Sequence, residues 1–427
     1  MNLSHNRRQE ECDASFAPFW AQLMLVLYAT LGLCVAHAQT FSSGSTGADG
    51  ALDFSGCTEV IEWDAAGLDL EHDSVFNFTT VNIPSGCTVR LTARKLGQKP
   101  IVFLATGDIQ IDGTLDLSGA AAQSNALASI PAVPGPGGFA GGTVRDSGGG
   151  NVEATNGMGP GGGGGGGSIG GAAGHVTEGS TGAYNGGSGG ARYGTPFLLP
   201  LLGGSGGGGS AAYRVGGGAG GGAILLASST AIRVNGSVVA DGGPAGLWGY
   251  TSNGGGSGGA IRVIAPSFSG SNLYSSISAQ GRGGASGGRI RIEALQNSFV
   301  GGIYAGVAGE VRATTLAPNT IILGPAVVIP TLRIVSVDGV PVPPNPTGGF
   351  TPADVTINTA APVTIVIEGK DVPVGTVATV AVYNETTGVQ TLDSTPLTGT
   401  SELSTATATG MIDPGFSLVT VRANFAP

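Results

Sequence analysis

The stretch IVFLATGDIQIDGTLDLSG, Ile101–Gly119, decides the fold. Ile109, Ile111, Leu115 and Leu117 fall on one face of its second half, and Asp108, Gln110, Asp112, Thr114 and Asp116 on the other. A period of two is the mark of a half-buried strand. Asp112-Gly113 breaks the run with a pair that favours tight turns, either a hairpin or the corner of a coil. The same pattern returns in AILLASSTAIRVNGSVVADGG (Ala223–Gly243), with Asn235-Gly236 at the same break, and in AIRVIAPSFSGSNLYSSISAQG (Ala260–Gly281). A degenerate copy starts at RIRIEA (Arg289–Ala294), and VFNFTTVNIPSGCTVRLTA (Val75–Ala93) reads as an earlier one.

Three short strands, about 20 residues round, cannot bury an apolar face alone, whereas stacked copies bury one continuous column. The expected fold is therefore all-β: a parallel β-solenoid-like, glycine-rich body, with a hairpin-built sandwich as the alternative. The copies are unevenly spaced. The long glycine-rich segment Ala120–Gly222 separates two of them and must loop out and return.

That segment contains MGPGGGGGGGSIGG, Met158–Gly171. Glycine is 80 of 427 residues, yet only 11% are charged and 41% are hydrophobic, which excludes a solvated disordered chain. No strict every-third glycine period supports collagen. Ile169, Val176, Tyr184, Phe197, Leu198 and Leu199 are threaded through the run, and a plain linker does not need them. Extended polyproline-II-type chains leave backbone groups unpaired, and glycine lets such chains approach closely enough to pair them. Extended polyglycine excursions packed on the β body are expected.

Residues 328–427 read differently. Strand candidates are Leu332–Val337, Val355–Asn358, Val363–Ile367, Val377–Tyr383, Val389–Leu392, Ser401–Thr409 and Ser417–Asn424, separated by Pro- and Gly-bearing turns. Short strands at this spacing suggest an immunoglobulin-like β-sandwich. The domains are thus residues 1–38, 39–98 (an acidic N-terminal cap), 99–325 (the glycine-rich β-repeat) and 328–427.

Residues 1–38 carry the 13-residue apolar run Leu23–Val35 and then Ala36-His37-Ala38. This is the pattern of a secretory signal peptide, and it implies an extracellular or cell-surface location. Membrane attachment is expected only if that segment stays uncleaved. Two cysteines follow it, Cys57 and Cys87, each within Ser-Gly-Cys-Thr. An even pair in an exported chain reads as a disulfide. The net charge of −10 and the presence of only three lysines exclude the basic stripe of a nucleic-acid binder.

The blocks FLLPLLGGSGGGG (Phe197–Gly209), GGGAILLAS (Gly220–Ser228), GGGSGGAIRVIAP (Gly254–Pro266) and GGRIRIEA (Gly287–Ala294) resemble a group of exported glycine-rich bacterial proteins without an established activity. The resemblance covers roughly Phe76–Ala294; it implies export and a β-rich fold, and no reaction. On its glycine runs alone, the chain also looks like phage tail-fibre adhesins, in which glycine-rich segments pack as polyglycine helices.

Gly186–Gly190, Gly203–Gly207 and Gly255–Gly259 each match G-x-S-x-G, but no histidine follows His175 to complete that triad order. If the chain is an enzyme, Asp108, Asp112 and Asp116 are the candidate carboxylates of a polysaccharide lyase or hydrolase. The acidic stretch Gly44–Ser74, with Asp49, Asp53, Asp69 and Asp73, offers oxygen ligands for calcium. No other cofactor is implied. Trp248, Tyr250, Tyr184 and Tyr193 lie in glycine-bordered excursions, where aromatic side chains on a rigid scaffold can bind glycan or a partner surface. The leading expectation is a non-catalytic surface or adhesion protein, with glycan or another cell-surface component as its partner.

Overall fold

The computed structural model describes residues 41–427 apart from 66, 69–72, 125–129, 149–150, 247–253, 317–329, 345, 347–352, 360, 385–386, 401 and 424–427. The expected signal segment and Asp69, Trp248 and Tyr250 lie outside the described residues.

The chain is almost entirely β, as the period-two pattern requires, with one helical turn at Ala93–Leu96. In order, the first seventeen strands are β1 (Gly50–Asp53), β2 (Val60–Glu62), β3 (Val75–Ile83), β4 (Thr88–Arg90), β5 (Ile101–Ala105), β6 (Ile109–Ile111), β7 (Thr114–Asp116), β8 (Val144–Gly148), β9 (Asn151–Ala154), β10 (Ala223–Ser228), β11 (Ala231–Val234), β12 (Ser237–Val239), β13 (Ala260–Gly270), β14 (Ser276–Ser278), β15 (Arg289–Phe299), β16 (Gly302–Tyr304) and β17 (Glu310–Thr315). Except for the β8–β9 hairpin, all pair in parallel.

They form two sheets. The second runs β2-β4-β7-β12-β14-β16, in strict sequence order. In the first, β3, β5, β10, β13, β11 and β6 close a six-strand parallel ring, to which β1, β15 and β17 are added. The ring arises because β3 and β13 are long. Each spans two short strands of the neighbouring copy: β5 with β6, and β10 with β11.

Asp112-Gly113 and Asn235-Gly236 are corners rather than hairpins. The strands before them pair only in the first sheet and those after them only in the second. A Cβ on Gly236 would stand 1.8 Å from the Gly113 carbonyl oxygen, so the corners stack backbone on backbone. Beside them, Asn235 Nδ2 donates to Asp112 Oδ1 at 2.8 Å. β13 runs on unbroken through Pro266. The ladder skips Pro266, which has no N–H to donate.

The apolar faces of both sheets meet in one core. Phe76, Phe78 and Phe103 sit at one end, Ile109, Ile232 and Val238 in the middle, and Phe268, Ile277 and Ile290 further along. Trp63 packs 5.2 Å from Phe76, ring to ring, and joins β2 and β3 to this core. Two copies at the ends escaped sequence reading, β1 with β2 and β17. The duplicated Ser-Gly-Cys-Thr was the signal for the first of them. Cys57 and Cys87 occupy equivalent turns of adjacent copies and are disulfide-bonded.

The C-terminal residues form two antiparallel sheets. One contains β18 (Thr331–Val337), β19 (Val340–Pro341), β20 (Val363–Lys370), β23 (Thr398–Gly399) and β24 (Ser404–Gly410). The other contains β21 (Val377–Asn384), β22 (Gly388–Pro396) and β25 (Ser417–Arg422). Val363, Ile365 and Ile367 of the first pack against Ala378, Val380 and Val382 of the second. The expected strand at Val355–Asn358 is not formed. Val355 and Ile357 pack on this core from a loop, so their apolar pattern reflects burial without pairing.

Candidate functional site

Glycine positions the loops of this protein by letting backbones touch. Consecutive amides Gly217 to Gly222 donate in turn to the carbonyls of Gly142, Gly254, Ala120, Phe139, Ser257 and Leu117. Three neighbouring segments are visited in rotation, and each is met again three residues later. That rotation is the three-residue turn of a polyproline-II-type chain. Gly204 and Gly207 likewise donate to Gly221 and Gly218, and Gly206 and Gly209 to Met158 and Thr155. An array results in which the lone pairs and N–H groups of extended chains satisfy one another.

The seven-glycine run is part of it. Gly163 and Gly166 donate to Gly206 and Gly209, and Gly164 donates to Ser188 between them. A Cβ on any of Gly161 to Gly166 would stand within 2.7 Å of another segment's backbone or, at Gly162 and Gly166, of the adjoining turn's, whereas Gly167 meets nothing closer than 3.9 Å.

The excursions leave and re-enter at one edge. They depart where β7, β12 and β14 end, with Leu117, Ala240 and Ala279 amides bonded to Val239, Ser278 and Tyr304 carbonyls. They return before β10, β13, β15 and β17, where Ala260, Arg289 and Glu310 amides bond Gly222, Gly259 and Gly288 carbonyls.

Inside the array lies a polar knot. His175 is fully buried, its ring stacked on Tyr193 at 4.6 Å, with Nδ1 2.7 Å from the Gly258 carbonyl oxygen. Burial pushes its pKa down to about 4 against the upward pull of the Gly258 bond, and the Arg289 charge adds a smaller lowering. Tyr193 donates its hydroxyl to the Gly203 carbonyl at 2.6 Å and accepts from Ser205 Oγ, and burial raises its pKa. Arg289 Nη1 bonds the Tyr193 carbonyl, and its Nε bonds Glu310. Ser205 and Ser257, the centres of two G-x-S-x-G matches, are wholly buried and hold backbone amides. No substrate reaches them.

Beside the departure edge is a shallow open cleft, lined among others by Thr114, Asp116, Ser118, Asp241, Pro244 and Arg282. Asp241 is buried and accepts from Ser278 Oγ, the Gln280 amide and Arg282 Nη2 at 2.6–2.8 Å.

The other candidates are dispersed. Asp108 pairs with Arg233 and Thr230 on the first sheet. Burial opposes its ionisation, but those two partners hold its pKa below the usual value. Asp112 accepts from Gln110 and Asn235 at the corner, and Asp116 from the Ser118 amide on the second sheet. The three therefore do not converge. Asp49, Asp53 and Asp73 accept from the amides of Asn77, Ser55 and Val75 respectively. No three His, Cys, Asp or Glu side chains gather for a metal among the described residues. Tyr193 is turned inward and pins its excursion, while Tyr184 is 84% exposed. Phe197, also exposed, lies 5.5 Å beneath the Arg291 guanidinium.

Asp241, Arg282 and Tyr304 were missed in the sequence. Aligning Asp241 of ADGG with Ser118 of LSG would have put the first of them on the outward face. No protein-family model, no curated protein and no solved structure matches this chain.

Proposed function

We propose that this is an exported, non-catalytic structural and adhesion protein of the cell surface, which binds glycan or a partner surface through loops of its glycine-rich domain. The two parallel sheets are read as the walls of a β-solenoid, and the C-terminal pair of antiparallel sheets as an immunoglobulin-like sandwich. One observation carries the reading: the glycine-rich excursions all spring from one edge and are tied into one hydrogen-bonded array. A stiff platform then presents its outer loops together, among them the one with the exposed Tyr184. Rigid presentation lowers the ordering cost of binding.

A glycan array probed with the full-length protein tests this. Binding to a defined glycan or to a cell-surface extract, weakened by Tyr184→Ala or Trp248→Ala, is expected. Absence of any ligand, together with unchanged attachment of cells lacking the gene, would overturn it.

A further inference from the structure

The outward residues of the second sheet stand in two columns. One runs Thr88, Thr114, Ser237, Ser276 and Gly302; the other runs Arg90, Asp116, Val239, Ser278 and Tyr304. Strands lie about 4.8 Å apart, so five positions span roughly 19 Å. The first column is a line of hydroxyls that ends in a glycine. Ser237 Oγ and Ser276 Oγ are 2.9 Å apart within it.

Gly302 marks a change of surface. A Cβ there would stand 2.4 Å from Tyr304 Cε2 and Cζ and 2.3 Å from its Oη. The hydroxyl end of the tyrosine ring therefore overlies the glycine, and Tyr304 is 54% exposed. At the other side, the hydroxyl column opens into the cleft lined by Thr114, Asp116, Ser118, Asp241 and Arg282. On β2 the two columns are continued by Val60 and Glu62, so acids outnumber bases along this face. Arg282 is bonded to Asp241, and Arg90 stands in register with Asp116.

A flat aromatic ring beside evenly spaced hydroxyls meets the needs of a pyranose chain. The C–H faces of the sugar stack on the ring, and its hydroxyls exchange hydrogen bonds with the column and the cleft. With acids in excess along the face and the chain at −10 overall, an uncharged polymer is favoured over an acidic one. We propose that this face is a binding groove for a neutral polysaccharide, with Tyr304 as its stacking platform. The proposal rests on the reading of the protein as a glycan-binding adhesin and names the ligand class and a second contact surface.

Affinity electrophoresis of the full-length protein through gels of galactomannan, xyloglucan, dextran or polygalacturonate tests it, with thermal melting as the control for folding. Retardation by at least one neutral polymer is expected. Tyr304→Ala should weaken it about tenfold, and Tyr304→Phe should keep it. Gly302→Ala should also weaken it, because the new Cβ lifts the ring from the sheet while leaving the tyrosine in place. Retardation unaffected by both Tyr304→Ala and Gly302→Ala overturns the groove. If Trp248→Ala or Tyr184→Ala abolishes it instead, the adhesin reading survives. Retardation by polygalacturonate alone overturns the neutral-ligand assignment and again leaves the adhesin reading intact. Retardation by none of the polymers overturns the groove, and the glycan array then decides the adhesin reading separately.

Discussion

Gly163 and Gly171 approach so closely that a Cβ on Gly163 would stand 2.0 Å from the Gly171 carbonyl oxygen. The obstacle is backbone held by its own hydrogen bonds, including the Gly171 amide to the Gly164 carbonyl, so it cannot swing aside as a side chain would. Gly163→Ala should destabilise the protein by about 1–3 kcal/mol, the range for overpacking. Gly167→Ala, four residues on with open space around it, should fall within about 0.5 kcal/mol of the parent. Chemical denaturation of the two variants side by side is the measurement; equal stability would contradict the close-packed array.

Amide exchange reads the array directly. Gly217 to Gly222 each have a backbone acceptor, so their exchange should be slowed well below free-peptide rates despite the absence of regular strand or helix. Free-peptide exchange across all six would show that the glycine chains are not mutually bonded.

His175 should make the fold acid-sensitive. Its pKa is about 4 in the folded state, against about 6.5 unfolded. Between these values the unfolded chain binds more protons, so stability falls as pH drops through that window. Burial beside Tyr193 and Arg289 leaves the imidazolium without a carboxylate partner in the knot. The loss from pH 7 to 5 should be on the order of 2 kcal/mol. His175→Phe should flatten the urea midpoint over this range; an undiminished slope would remove His175 as its source.

The Cys57–Cys87 bond closes a loop with a sequence separation of 30. It ties β2 to the turn before β4, at the end of the stack where β1 and β2 have neighbours on only one side. Replacing both cysteines by serine should cost roughly 3 kcal/mol through unfolded-state entropy. The chevron or denaturant midpoint should shift while β13 to β17 keep their amide protection; a midpoint unchanged by the double substitution would contradict this.

Asp108→Asn offers a contrasting case. The Asp108–Arg233 pair is about two-fifths exposed on both sides, and exposed pairs contribute little. Loss of well under 1 kcal/mol is expected, measured by the same denaturation; a large loss would point to a deeper role for that carboxylate.

Much of the body was legible because its signals are local. Period-two alternation in Ile109–Leu117 and Ile232–Val238 named the inward residues correctly. Asp112-Gly113 and Asn235-Gly236 gave the register, because aligned turns stack. β17 was missed: only Val311 and Ala313 alternate with polar neighbours in Glu310–Thr315, and at an open edge both stay exposed. Tyr193 and Tyr184 look alike in sequence, both in glycine-bordered loops. Only the path of the chain turns the first toward Gly203 and Ser205 and leaves the second in solvent.

By itself, then, the sequence determined that the chain is β, that Ile, Leu and Val of its alternating strands face inward, and that Cys57 and Cys87 form a matched pair. Tertiary structure decided which glycines are locked. A missing Cβ permits close approach, but Gly217 to Gly222 find their partners in three separate segments, around residues 117–120, 139–142 and 254–257. It also set the hydroxyls of Thr88, Thr114, Ser237 and Ser276, from four strands, in one column that runs toward β16 and Tyr304. Such relationships are set by where distant segments meet, and no period along one strand records them.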